Sequence, residues 1–498
     1  MGKYYLGLDQ GTTGTTALLL DEDWNFIARG YQEHTQYYPK PGWLEHDPME
    51  IWDKILETVE SAITQAEIKV DDICCMGLDN QGETIVLWDN VTGKPVYNAI
   101  VWQDRRTSRE ADKIAEKYGE LIREKTGLIV DCYFGATKIK WIIDHVDGVK
   151  EKIKRGRINA GPMDSWMIWK LTHGRVFATD QSTASRTMLF NIHTGDWDNE
   201  ILEILGIPRE ILPQIHDSAS LFGTTDPLDF FGARIPISGS AVDQQAALFG
   251  QACFTPGTVK TTYGTGCFML MNTGDTPVYS DNGLLTTVGW GLNNRHLTFA
   301  LDGGIYIAGA AVQWLRDKLK IIQTPKETSD MAKSVPDTGG VYFVPAFSGL
   351  AAPYWDQYAR GTMVGITGGT EREQIVRATL ESIAYQVKDN LDIMTKDSGT
   401  PIEVMRVDGG IVANDFLMQF QADILGIPVD VPVITETTAL GAAYLAAYGI
   451  GEFKNLDELA SKWKLQKRYE PNMDPKLRDQ LLHNWHRAVE RAKNWEEN

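Results

Sequence analysis

The run Leu6-Gly7-Leu8-Asp9-Gln10-Gly11-Thr12-Thr13-Gly14-Thr15-Thr16, continued by Ala17-Leu18-Leu19-Leu20, decides how this chain is read. An apolar strand carries an acid at its end, turns through glycine and threonine, and returns as a second apolar strand. A turn of that composition leaves backbone N–H groups and hydroxyls open to an anion, while the carboxylate can hold a divalent cation. Anion and cation together point to a nucleotide, with Thr12, Thr13 and Gly14 toward the phosphates and Asp9 toward the metal. The same residues would also suit an ordinary β-hairpin turn.

The pattern returns at half the chain length. Thr258–Tyr263 and Cys267–Met271 read as strands around Gly264-Thr265-Gly266, which predicts a duplicated domain. Strand-like runs alternate with helical ones elsewhere, so the class is α/β. At 498 residues the chain exceeds one core, and we divide it into domains 1–249 and 250–498. Near the end, a strand over Val404–Val407, a turn at Asp408-Gly409-Gly410 and a helix over Asn414–Leu425 form a third anion-compatible site.

Three further helices are predicted. Thr370-Glu371-Arg372-Glu373 reads as a capping box before a core stripe at Val376, Leu380, Ile383, Val387 and Leu391. The small-residue run Thr437–Tyr448, stopped by Gly449, admits close approach by a neighbouring helix or by a flat ligand such as adenine. The charged segment after Trp463, with Trp485 and Trp495, reads as a peripheral amphipathic helix.

Composition excludes several classes. A net charge of −19 argues against a nucleic-acid surface. The longest mostly apolar run, Ala439–Gly451, is too short and glycine-rich to span a bilayer. Five cysteines without metal-ligand spacing form no disulfide framework. With no leader-like N-terminus, a cytoplasmic location is the expectation.

Phosphoryl transfer needs a metal, donors for phosphates, a base and a dry site. Asp243, within the small and apolar run Ile237–Ala247, is the candidate base, and with Asp9 it forms the candidate metal-holding pair. Its rival reading is a cap on a helix over Gln244–Leu248. An acceptor pocket is suggested by Asn80-Gln81-Gly82-Glu83, with Trp102, Tyr133 and Phe268 as apolar walls. One carboxylate among aromatic rings suits a small polyol. The pair Arg105-Arg106 reads as an exposed ion-pairing face.

Many ordered blocks resemble the FGGY carbohydrate kinases, and within them the glycerol kinases. They include Leu8–Thr13, Tyr38–Trp43 with Glu45–Pro48, Tyr97–Gln103, Tyr133–Lys138, Ser185–Asn191, Asp243–Gln245, Tyr263–Phe268 and Arg406–Gly410. The resemblance implies two actin-like (ribonuclease H-like) domains enclosing a central cleft, closing over ATP and Mg2+. It implies phosphorylation of a primary hydroxyl of a polyol, with glycerol as the leading acceptor. A kinase for a longer polyol or ketose, or a non-catalytic binding relative, are the alternatives. It adds Gln244 to the polyol site. Around the nucleotide it places Thr265, Gly410 and, on its authority alone, Gly309, Gln313 and Asn414. It also implies a homo-oligomer, a dimer or tetramer. Two departures stand at the reaction centre: glycerol kinases typically carry Arg where this chain has Gly82 and Thr16.

Overall fold

The protein is described by a computed structural model covering residues 2–496. The first half is organised on six strands. These are β1 (Tyr4–Gln10), β2 (Gly14–Leu20), β3 (Phe26–Glu33), β4 (Ile73–Asn80), β5 (Gly223–Thr224) and β6 (Pro236–Val242), in the order β5-β6-β4-β1-β2-β3. Strands β1, β2 and β3 are successively antiparallel, while β4 and β6 run parallel to β1 and β4. The helix α1 (Pro48–Ala66) covers one face; Asp47 caps it as the Asp-Pro dipeptide predicts.

The second half repeats the plan. Its strands are β7 (Val259–Tyr263), β8 (Cys267–Gly274), β9 (Leu285–Leu292), β10 (His296–Ile305), β11 (Met405–Asp408), β12 (Val429–Pro432) and β13 (Leu465–Tyr469), ordered β9-β10-β8-β7-β11-β12-β13. The five-strand core β10-β8-β7-β11-β12 has three antiparallel strands followed by two parallel ones, matching β3-β2-β1-β4-β6. This duplicated core is the one expected from the repeated strand–turn–strand pattern.

β1 and β2 are apolar on both faces because both are covered. Leu6, Leu8, Ala17 and Leu19 pack with Ile51, Ile55 and Val59 of α1. On the opposite face Tyr5, Leu18 and Leu20 join a cluster with two helices, α2 (Asp243–Gly250) and a helix from the other half of the chain, Thr437–Gly449. Three glycines in register, Gly7, Gly77 and Gly239, make a groove for the latter. A Cβ there would lie 1.9, 1.8 and 2.4 Å from backbone atoms of Ala439, Ala442 and Ala446. On the helix side, Gly441 would meet the Ala246 carbonyl of α2 at 1.8 Å. The small residues therefore serve backbone-to-backbone packing, which settles that alternative in favour of protein neighbours.

Several local expectations need correction. Gly449 is the last helical residue, and the positive φ of 78° falls on Gly451. The capping box before the long helix Arg372–Ser398 is made by Glu371 and Gln374, because the Thr370 hydroxyl accepts from the Thr367 N–H instead. The segment after Trp463 supplies β13 and a helix, Pro475–Ala492, whose Trp485 is fully buried and donates to Asp389 at 2.7 Å. It completes the second core rather than lying on its periphery. Arg106 is also internal: it pairs with Glu45 at 2.7 Å and Asp104 at 2.9 Å, and stacks over Trp43. Only Arg105 is exposed, beside Asp131. Among the described residues no helix is long and apolar enough to cross a membrane.

Candidate active site

The parallel strands β1, β4 and β6 end side by side, and each delivers acids to one place. Asp9 lies opposite Asp79 in the parallel register, and Asp79 lies opposite Ala241, two residues before Asp243. Asp243 opens α2 with its Oδ1 accepting the Gln244 N–H at 2.7 Å. The N-cap position belongs to Val242, so the helix-cap reading of Asp243 is not what the structure shows. Burial raises its pKa to about 6; the Gln244 N–H opposes that rise, and the charge of Asp9 adds to it. Burial likewise raises Asp9 to about 6. Asp79 is fully buried, neither of its carboxylate oxygens has a partner among the described residues, and burial followed by the charge of Asp9 pushes its pKa well up.

Beside these acids, Glu83 belongs to a buried polar network. Glu83 sits in a tight turn beyond β4 at φ 57°, a strained angle for a side-chain-bearing residue. Its carboxylate accepts from Arg186 Nε at 2.6 Å, and Arg186 also reaches Asp302 of β10 at 3.1 Å. Burial raises Glu83 to about 7 against the pull of Arg186. Arg186 follows a fully buried short helix, Gln181–Ser185, that Asp180 caps through the Ser182 and Thr183 N–H groups. Glu83 and Asp302 more than offset the burial of Arg186 and keep its pKa above the ordinary value. One of its terminal nitrogens, Nη1, has no partner. Tyr133 meets Trp102 edge to face at 5.7 Å, and the Trp102 indole donates to the Thr12 hydroxyl at 2.8 Å. That last bond ties the aromatic wall to the N-terminal turn. Lys138 holds the Tyr133 turn by donating to the carbonyls of Cys132, Tyr133 and Phe134. Across the cleft, Lys260 bonds Gln244 and Thr262. The strand registers put Lys260, Phe268 and Asp302 on one face of the second sheet.

The two glycine-threonine turns are open by comparison. In the N-terminal turn the Gly11 N–H bonds the Gly14 carbonyl, while the carbonyls of Thr12 and Thr13 accept from Gln36 and His34. Among the described residues the N–H groups of Thr12 and Thr13 find no acceptor. In the second half the turn Gly264–Gly266 docks on the helix Gly309–Asp317 through bonds from Ala308, Gly309 and Ala310. A Cβ on Gly309 would lie 2.6 Å from the Gly264 carbonyl, and one on Gly409 would lie 2.2 Å from the Tyr263 carbonyl. Thr265, Gly309 and Gly410 are thereby brought together. Gln313 is exposed one turn along that helix. Asn414 spends its side chain locally: its oxygen caps the following helix at the Leu417 N–H, and its nitrogen donates to Thr328.

Residues 4–250 match the N-terminal domain of the FGGY family of carbohydrate kinases, and residues 259–450 match its C-terminal domain. The chain belongs to this family. Glycerol kinase 2 of Thermotoga maritima is 58% identical over 495 residues, covering 99% of either chain. The crystal structure of Plasmodium falciparum glycerol kinase with ADP has 39% identity and a TM-score of 0.92, covering 99% of this chain and 98% of that one. A gluconate kinase from Lactobacillus acidophilus shares the fold at 23% identity, with a TM-score of 0.87 and 98% and 97% coverage.

As an FGGY carbohydrate kinase the protein is a phosphotransferase. The structure brings Asp9 and Asp243 together, and Glu83, Trp102 and Tyr133 line up beside them. Gly82 is buried, and a Cβ there would meet only Val242 Cγ2, at 2.9 Å. The residues that sequence reasoning passed over are Arg186, Lys260, Asp302 and Asp79. Arg186 lies within Ser185–Asn191, yet nothing local shows that its partners lie 103 and 116 positions away.

Proposed function

We propose that the chain transfers the γ-phosphoryl group of ATP to a primary hydroxyl of glycerol. The reading is carried by the convergence of Asp9, Asp243 and Glu83 at the ends of adjacent parallel strands. Full-length likeness to glycerol kinases supports the acceptor. Asp243 is the proton acceptor: a carboxylate with a pKa near 6 is mostly ionised at neutral pH, yet basic enough to accept a hydroxyl proton. Glu83, held by Arg186, accepts from the remaining hydroxyls, and Trp102, Tyr133 and Phe268 cover the C–H faces, with Gln244 at the rim. Thr12 and Thr13 offer free N–H donors to the phosphates, and Gly14 lets the phosphates approach closely. Thr265, Gly309, Gln313, Gly410 and Asn414 are assigned to the nucleotide on the family resemblance.

The donor set also suits Mg2+. Among the described residues no group of three metal-ligating side chains forms a cage. Magnesium does not need one, because it is usually held by one or two carboxylates together with phosphate oxygens and water. Asp9 and Asp243, each raised by burial and with the charge of Asp9 raising Asp243, carry the excess negative charge that such a cation relieves. When bound it would neutralise charge developing on the transferred group. We assign residues 1–249 and 250–498 to two domains around the cleft, expect a dimer or tetramer, and place the protein in the cytoplasm.

Gly82 favours a second reading, a longer polyol or a ketose, because apart from Val242 nothing lies within 4 Å of a Cβ at that position. ATP consumption measured with glycerol, erythritol, xylitol, ribitol and xylulose separates the two. Highest kcat/KM on glycerol is expected; preference for a four- or five-carbon acceptor establishes the second reading. Phosphorylation that survives in Asp243→Asn would defeat the assignment of the base.

A further inference from the structure

The N-terminal turn that faces the phosphates has donors but no cation: between Asp9 and Thr16 there is neither Lys nor Arg. A cation arrives instead from the neighbouring strand. In the β2–β3 register Thr16 stands opposite Tyr31 and Leu18 opposite Arg29, while Asp9 stands opposite Thr16 in β1. Directly opposed residues share a face of a sheet. Asp9, Thr16, Tyr31 and Arg29 therefore lie on one face, the face that Tyr5 and Leu18 turn toward the second half of the chain.

On that face Arg29 Nη2 lies 3.4 Å from the Thr16 hydroxyl, and its guanidinium sits 5.0 Å above the Tyr31 ring. The Tyr31 hydroxyl is 2.9 Å from where a Cβ on Gly14 would be, so the stack leans against the turn itself. Among the described residues the acid paired with Arg29 is Glu436, from the start of the helix Thr437–Gly449, at 2.8 Å from Nε. That contact is short but misdirected, and Nε makes no aligned hydrogen bond. Both side chains are 37% exposed, and Glu436 caps nothing on its own helix. An exposed, poorly aligned pair adds little to stability. It does keep a guanidinium beside a phosphate-facing turn, on a partner that a stronger anion can displace. Polyphosphate is such an anion, since a guanidinium pairs with it through two parallel hydrogen bonds.

We propose that Arg29 is the polyphosphate-binding cation of the N-terminal turn, held by Glu436 of the opposite half until a nucleotide competes for it. The inference rests on the reading of that turn as the phosphate site. Titration calorimetry with ATP, ADP and adenosine on the wild-type chain, Arg29→Gln, Arg29→Lys and Glu436→Gln tests it, with melting temperatures reporting folding. Arg29→Gln is expected to weaken ATP by ~10-fold, ADP by less, and adenosine not at all, with Arg29→Lys between wild type and Arg29→Gln. Glu436→Gln should bind ATP as well as wild type or better. Unchanged ATP affinity in Arg29→Gln overturns the proposal, as does equal weakening of ATP and adenosine. Equal weakening in Glu436→Gln would make the pair a tie between halves. A wild-type chain that fails to bind ATP overturns both this inference and the phosphate reading beneath it.

Discussion

The acceptor side and the phosphate side of the cleft satisfy their polar groups in opposite ways. Arg186 bridges Glu83 and Asp302 inside the protein, and Lys138 and Lys260 are each bound to named oxygens. Among the described residues the turn at Thr12–Gly14 instead leaves the Thr12 and Thr13 N–H groups free, with a partly exposed Arg29 nearby. The contrast follows from the two ligands. A neutral polyol offers hydroxyls alone, so its partners must be oriented before it arrives. A polyphosphate brings its own charge and can displace a loosely held partner.

Asp243, where the two sides meet, gives the largest expected effect. Asp243→Asn should lower kcat on the order of a thousandfold with little change in KM for the acceptor, because it removes proton acceptance and keeps the shape. Steady-state kinetics check this; a large shift in KM for ATP alone would place Asp243 on the phosphate side. Next comes Arg186→Met, which strands Glu83 and Asp302 as buried charges. It should destabilise the protein by about 3–5 kcal/mol and raise KM for the acceptor while leaving KM for ATP unchanged. Denaturant unfolding together with both KM values tests the pair of claims.

The acids also predict pH behaviour. Burial raises the base Asp243 to about 6, so kcat/KM should climb about tenfold per unit below that value and level off above about 7. Stability moves the other way. With pKa values raised above their unfolded values, Asp9, Asp243 and Glu83 bind more protons folded than unfolded between about 4 and 7. The ligand-free protein should therefore lose stability as pH rises through that window. Melting temperatures that increase steadily from pH 5 to 7 would contradict the buried-acid picture. The smallest effect is Thr12→Val, which removes the bond linking the aromatic wall to the turn. A loss of about 1 kcal/mol, or roughly fivefold in kcat/KM, is expected. If it falls on ATP rather than the acceptor, the two sides are less separate than the geometry implies.

Much of the site was legible because it lies at places that local rules govern. Asp9 ends a strand, Gly264–Gly266 repeats the turn, and Asp47-Pro48 starts a helix where capping chemistry says it should. Misreadings arose where a local pattern had a distant owner. Arg106 reads as exposed until Glu45, Trp43 and Trp141 fold around it. Trp485 reads as peripheral until Asp389 and Tyr385 enclose it. Thr370 could have capped its helix, yet the turn before it claimed the hydroxyl.

By itself the sequence determined the duplicated strand–turn–strand core and the acids at strand ends, since periodicity and turn chemistry depend on neighbours a few residues away. Tertiary structure alone decided that Gly7, Gly77 and Gly239 would form a single groove, that Arg186 would join Glu83 to Asp302, and that Arg29 would stand over Tyr31 beside Asp9. Each depends on strand order and register, which the chain sets only once its two halves have packed together.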